Sequence, residues 1–149
     1  MSFGSRWLAS DAPKAVLLVR LLVGSVFVSE GIQKFVFADS LGVGRFVKLG
    51  IPWPSVMAPF VGAVEIGCGA LVAIGLVTRA ATLPLLAVML VAVATTKFPI
   101  LREKGFWAMA HDARADWSML LSSIFLLLVG AGPLSLDARI TSARAKRDA

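Results

Sequence analysis

The chain has few of the residues on which self-contained redox or metal chemistry depends. Its 149 residues include one cysteine, Cys68, and one histidine, His111. A single cysteine excludes an intrachain disulfide and a C-x-x-C redox pair. One histidine excludes a bis-histidine haem within the chain, and a zinc site would lack ligands. We therefore expect no metal site and no cofactor held by this chain alone, so any redox role needs a diffusible carrier or a partner subunit.

Charged residues are also scarce. They make up 16% of the chain against 58% hydrophobic residues, whereas a soluble domain has about 25% charged and 45–50% apolar residues. A core of this size cannot bury so much apolar surface, so a lipid bilayer must cover the excess. The 15 basic residues outnumber the 9 acidic ones, but they lie in short loops and a tail without interleaved aromatics. Nucleic-acid binding is therefore not expected.

Four apolar stretches, each about 20 residues long, predict an all-α integral membrane four-helix bundle in a single domain, residues 1–149. The spans are predicted at about residues 13–37, 54–78, 80–100 and 116–136. A glycine-rich loop, 38–53, and a polar loop, 101–115, separate them. No convincing signal-peptide cleavage site follows the first stretch, so we expect it to be retained as a span.

The basic residues also predict the orientation of the chain. An even number of spans places both termini on one side of the membrane. Arg79 lies in the short turn between spans two and three, and the tail carries further cations, Arg139, Arg144, Lys146 and Arg147. The positive-inside rule then favours cytoplasmic termini.

Glu65 is the most informative ionisable residue of the spans. It lies about ten residues from either end of span two, too deep to reach the interface by snorkelling. An ionisable residue inside a membrane is costly and marks a functional site by default. Two interpretations stay open: one arm of a structural ion pair, or the lining of a polar cavity that binds or moves something. The glycines around it, Gly62, Gly67, Gly69 and Gly75, are interpreted as close-packing positions.

Side-chain direction predicts where the charges meet. Helical side chains lean toward the N-terminus of their helix. With the termini inside, five ionisable groups converge on the outer half of the bundle: Glu30, Lys34, Glu65, Lys97 and Asp116. Glu30, four residues before Lys34, can pair with it, although snorkelling also explains Lys34 and Lys97. Arg20 lies in the inner half, roughly 20 Å from Lys34 along the axis.

Several short motifs together resemble the DoxX family of small bacterial membrane proteins, over about residues 15–137. They are Arg20-x3-Gly24-x2-Phe27-x3-Gly31-x2-Lys34, Leu49-Gly50-Ile51-Pro52, the run from Glu65 through Gly69 and Gly75 to Arg79, and the ending from Gly130 to Asp137. The resemblance implies a four-helix protein of the bacterial inner membrane. The family takes its name from a subunit of a quinone-reducing thiosulfate-oxidising complex. Asp116 stands where such sequences often have glutamate.

Three functions follow from these features. The leading hypothesis is a membrane subunit of quinone-linked redox metabolism, in which the carboxylate and lysine cluster hydrogen-bonds a quinone carbonyl and relays its protons. Phe27 would line the quinone ring, and a redox partner subunit would supply electrons. The alternatives are a scaffold or assembly factor in which the charges only fix helix register, and a small transporter. A four-span transporter would have to work as a homo-oligomer.

Overall fold

The computed structural model describes residues 12–147, apart from the side chain of Arg144. The predicted domain, 1–149, therefore extends beyond the described residues at both ends. Every regular element within residues 12–147 is helical, which confirms the predicted all-α class. The helices are α1, Val16–Val36; α2, Val43–Lys48; α3, Pro54–Ile74; α4, Thr78–Asp112; α5, Arg114–Val129; and α6, Leu136–Arg147.

Three of these helices, α1, α3 and α4, are long and apolar enough to cross a membrane. The first two agree with the predicted spans 13–37 and 54–78 to within a few residues. Large apolar side chains such as Leu18, Phe60 and Leu90 are exposed on their outer faces. An apolar surface of this kind is stable only in contact with lipid or another protein.

The backbones of helices α1 and α3 nearly touch, because glycines lie along the contact between them. We call this contact the glycine seam. A Cβ atom added at Gly31 would lie 2.6 Å from the carbonyl oxygen of Gly62, and one added at Gly24 would lie 2.7 Å from that of Gly69. The predicted packing role is thus confirmed for Gly62 and Gly69. It is wrong for Gly67, around which a Cβ would meet nothing within 4 Å.

Asp137 of α6 fixes the turn between α3 and α4. Helix α3 ends at Gly75, whose φ of 73° is the left-handed conformation of a helix C-cap. The buried carboxylate of Asp137 accepts hydrogen bonds from the backbone N–H groups of Val77 (2.7 Å) and Thr78 (3.1 Å). It thereby caps the start of α4. Arg79, predicted to lie in the turn, belongs to the first turn of this helix.

The prediction of a polar loop at 101–115 is wrong. Helix α4 continues through it to Asp112 and is interrupted only at Gly105, where φ is 81° and ψ is 177°. The charged residues Arg102, Glu103 and Lys104 are good helix formers in water. Charge marks where an apolar stretch ends, but it does not by itself end a helix.

The predicted fourth span, 116–136, is a shorter helix than expected. Helix α5 ends at Val129, because Gly130 has a φ of 87° and Gly132 a φ of 75°, conformations that do not continue a helix. The chain then bends through Pro133 before α6 begins. The stretch is mostly apolar, so hydropathy alone did not indicate that these two glycines end the helix.

Candidate functional site

A cavity of about 490 Å³ lies between α1 and α3 on one side and α4 and α5 on the other. The segment around α2 also lines it. Most of its wall is apolar, with Phe27, Val61, Val88 and Met119 among the lining residues. Polar side chains from several elements line it as well: Glu30, Lys34, Arg45, Glu65, Thr95, Thr96 and Asp116. Four of the five residues predicted to form a polar site therefore line this cavity.

Lys34 and Glu65 form an ion pair at the cavity wall. The Lys34 Nζ atom lies 2.6 Å from Glu65 Oε2, and the two side chains are only 13% and 5% exposed. The pair joins α1 to α3. The expected pairing of Lys34 with Glu30 is not made: within residues 12–147, no acidic partner other than Glu65 lies within 4.0 Å of Lys34. Glu30 lines the cavity instead.

Lys97 forms ion pairs with two carboxylates, at the same end of the fold as the Lys34–Glu65 pair. Its Nζ atom lies 2.6 Å from Asp112 Oδ2 and 2.9 Å from Asp116 Oδ2. Asp116 lines the cavity, whereas Lys97 is not among its lining residues. Asp112 was missed by sequence reasoning, which placed it in a loop. Its spacing of four residues from Asp116, which predicts neighbouring side chains wherever such a segment is helical, was the available signal.

The break at Gly105 brings Asp112 to Lys97. Fifteen residues of unbroken helix would separate the two backbones by about 22 Å, farther than the two side chains can reach. Their ion pair therefore requires the chain to fold back at Gly105. A φ of 81° with a ψ of 177° belongs to a region that is essentially restricted to glycine.

Arg20 lies at the other end of α1 and does not belong to this cluster. Its guanidinium donates hydrogen bonds to the carbonyl oxygens of Ala131 (2.7 Å) and Ala73 (3.2 Å). The side chain is 2% exposed. It ties α1 to the end of α3 and to the segment after α5, so its described contacts are those of a structural residue. We refer below to the Arg20 end and the Lys34 end of the fold.

Comparisons with known proteins agree with the membrane character of the chain. The family model described as DoxX matches residues 15–97. The chain is 51% identical over 142 residues to "Uncharacterized membrane protein Rv3486" of Mycobacterium tuberculosis (strain ATCC 25618 / H37Rv), covering 91% of this chain and 87% of that protein. It is 32% identical over 121 residues to "Putative oxidoreductase CatD" of Bacillus subtilis (strain 168), covering 81% and 83% of the two chains. No solved structure matches the chain.

Proposed function

Because this chain belongs to the DoxX family of membrane proteins, we propose that it is a membrane subunit of quinone-linked redox metabolism. Its cavity binds the head group of a quinone. The observation that carries this proposal is the Lys34–Glu65 ion pair, largely removed from solvent, in the wall of an otherwise mostly apolar cavity. The word oxidoreductase in the name of the Bacillus subtilis relative is consistent with this role.

The proposal includes four membrane spans, with α5 as the fourth. Its 16 residues extend about 24 Å, somewhat less than a typical hydrocarbon core. Its first turn contacts Lys97 at the Lys34 end through Asp116, and the residue Ala131 beyond its last turn contacts Arg20 at the opposite end. Helix α5 thus extends between Lys97 at the Lys34 end and Arg20 at the opposite end, so we infer that it crosses the same layer as α1.

The chemistry of the cavity suits an amphiphile with a hydrogen-bonding head. Ligand sites of about 300–1,000 Å³ typically combine apolar walls with a few polar groups that orient the ligand. The Lys34 ammonium can donate a hydrogen bond to a quinone carbonyl, and Glu65 can exchange a proton with the reduced form. Phe27 presents an aromatic ring to the same space.

A ligand can reach the cavity from the lipid. Val91 of α4 lines the cavity and is 56% exposed. A membrane-soluble carrier would therefore need no aqueous path. Electrons would come from a redox partner subunit, since a chain with one cysteine and one histidine cannot build a bis-histidine haem or a four-cysteine iron–sulfur cluster. We place the protein in the bacterial inner membrane with both termini in the cytoplasm.

Binding of decylubiquinone to the purified full-length protein in nanodiscs tests this function. Quenching of the intrinsic tryptophan fluorescence reports binding. We expect Glu65→Gln and Lys34→Gln to weaken affinity by roughly tenfold or more, the worth of a hydrogen bond to a charged group. Glu103→Gln, which removes an exposed carboxylate outside the cavity, is the matched control. Affinities equal to wild type in both cavity variants would refute the proposal.

A scaffold function is the second candidate, because both lysines form ion pairs that join helices. Lys34 links α1 to α3, and Lys97 links α4 to the start of α5. A scaffold would tolerate replacement of a buried pair by apolar residues. The double variant Lys34→Met, Glu65→Leu separates the candidates: a scaffold keeps its cellular function in this variant, whereas a quinone site loses it.

A further inference from the structure

We propose that Asp112, Lys97 and Asp116 form a proton-transfer route between water at the Lys34 end and the cavity. The inference rests on the proposed function in one respect: the ligand in the cavity is taken to gain or lose protons. It adds the path by which those protons enter and leave, and it assigns a role to residues outside the Lys34–Glu65 pair.

The three groups form a continuous series from solvent to cavity. The Asp112 side chain is 51% exposed, Asp116 is 24% exposed and Lys97 is 12% exposed. The Lys97 ammonium contacts both carboxylates, at 2.6 Å and 2.9 Å. Asp116 in turn lines the cavity that Glu65 also lines. Each neighbouring pair is thus within the distance that a proton crosses along a hydrogen bond.

Stability alone explains this arrangement poorly. An ion pair with an exposed partner contributes about 0–1 kcal/mol, yet the chain adopts a glycine-only conformation at Gly105 to bring Asp112 to Lys97. Glycine adopts this conformation without the strain that other residues would bear, and unusual backbone conformations cluster at functional sites.

Other charged groups surround the route. Arg114 and His111 are close enough to Asp112 to influence it electrostatically. Four charged residues besides Asp116 line the cavity that the route enters: Glu30, Lys34, Arg45 and Glu65. The route itself is therefore tested at Asp112, which does not line the cavity, and Glu65→Gln serves only to identify the signal of the cavity carboxyl group.

The route carries protons and no electrons. A proton from water binds to the Asp112 carboxylate. Lys97 then gives one proton to Asp116 and takes one from Asp112, so that its charge is restored. Asp116 passes its proton into the cavity. Reduction of a quinone to a quinol takes two electrons, supplied by the redox partner, and two protons, so the route acts twice in each reduction.

A measurement without any quinone tests the route itself. Full-length protein in nanodiscs is subjected to a rapid drop in pH, and infrared absorption follows the carbonyl stretch of newly protonated carboxyl groups. The part of this signal that Glu65→Gln abolishes reports proton arrival in the cavity. We expect Asp112→Asn to slow this arrival by at least about tenfold.

Two further variants make the result decisive. Asp112→Glu keeps a carboxyl group and should restore a rate near that of wild type. Glu103→Gln, which replaces an exposed acid of the same helix α4, should leave the rate unchanged. The route is overturned if Asp112→Asn is as fast as wild type, or if Asp112→Glu is as slow as Asp112→Asn. The latter result would show that Asp112 matters only for folding.

The outcome is separable from that of the proposed function. If decylubiquinone does not bind but Asp112→Asn slows protonation of Glu65, the quinone proposal fails and the route into the cavity stands. If decylubiquinone binds with normal affinity and Asp112→Asn has no effect on the protonation rate, the route fails and the quinone site stands.

Discussion

The Lys34 ammonium and the Glu65 carboxylate lie 2.6 Å apart across the interface of α1 and α3, where both side chains are largely removed from solvent. Each charge is stabilised chiefly by the other. Burial makes the pair interdependent, because removal of one partner leaves the other with neither water nor a counter-charge. The pair also lines the cavity, so its effect on folding must be separated from its effect on a ligand.

Stability measurements on this pair achieve that separation. Glu65→Gln should lower the free energy of unfolding by roughly 3–5 kcal/mol, because the Lys34 charge is left uncompensated. The double variant Lys34→Met, Glu65→Leu should recover most of this loss. Thermal unfolding in nanodiscs measures both. A double variant that is stable and yet fails to bind decylubiquinone would assign the pair to ligand binding, whereas unaltered stability in Glu65→Gln would contradict the buried-pair interpretation.

Replacement of Gly105 by alanine should undo the reversal of the chain in α4. The φ of 81° and ψ of 177° are strained for alanine, although a Cβ would meet nothing within 4 Å. Spin labels on cysteines at the exposed positions Ala94 and His111, in a Cys68→Ala background, report the distance between the two segments. We expect the distance to lengthen toward the roughly 26 Å of an unbroken helix.

Gly67→Ala is the matched control for this experiment. Its position is equally free of neighbours, but it lies within regular helix. An unchanged label distance in Gly105→Ala would show that the reversal does not depend on glycine.

The glycine seam between α1 and α3 predicts a contrast between two alanine substitutions. Gly31→Ala should destabilise the protein by about 1–3 kcal/mol, because the new Cβ would meet the Gly62 carbonyl oxygen and the Ile66 side chain at under 3 Å. Gly67→Ala should be neutral or slightly stabilising, since alanine favours helix and has room there. Unfolding in nanodiscs compares the two. Equal effects would argue against a tight backbone contact at Gly31.

Asp137 lies in α6, outside the long apolar helices, and its side chain should stabilise the start of α4. Asp137→Ala leaves the backbone N–H groups of Val77 and Thr78 without their acceptor. We expect a loss of about 1–2 kcal/mol, the usual cost of removing a helix cap. The exposed acid Asp39 supplies the control variant Asp39→Ala, for which no loss is expected. Thermal unfolding compares the stabilities of the two variants, and equal stabilities would disprove the capping role.

Cysteine labelling tests the proposed orientation. In a Cys68→Ala background, single cysteines replace the exposed residues Ala145 in α6 and Ser40 at the Lys34 end. A membrane-impermeant maleimide added to intact cells should label position 40 and not position 145. Labelling of position 145 alone would reverse the orientation. Labelling of both positions would disprove the even number of spans.

The sequence by itself determined the membrane environment, the helical class and the positions of the first two spans. These properties depend on composition and on apolar runs of about 20 residues, which need no tertiary information. It also predicted that Glu65 lies away from the water interface. Side-chain direction in a helix follows from the direction of the chain, so the sequence further predicted that the ionisable residues of the spans, except Arg20, gather toward one end of the bundle. Asp137, the cap of α4, went unrecognised because its partners lie about 60 residues away.

Only the tertiary structure decided which charges meet. Lys34 pairs with Glu65 and not with Glu30, because the glycine seam brings α1 and α3 close enough for a contact between helices to replace one within a helix. Lys97 reaches Asp112 because a single backbone conformation at Gly105 turns the chain back on itself. The close approach of α1 to α3 and one glycine dihedral angle set these contacts, and neither can be calculated from hydropathy.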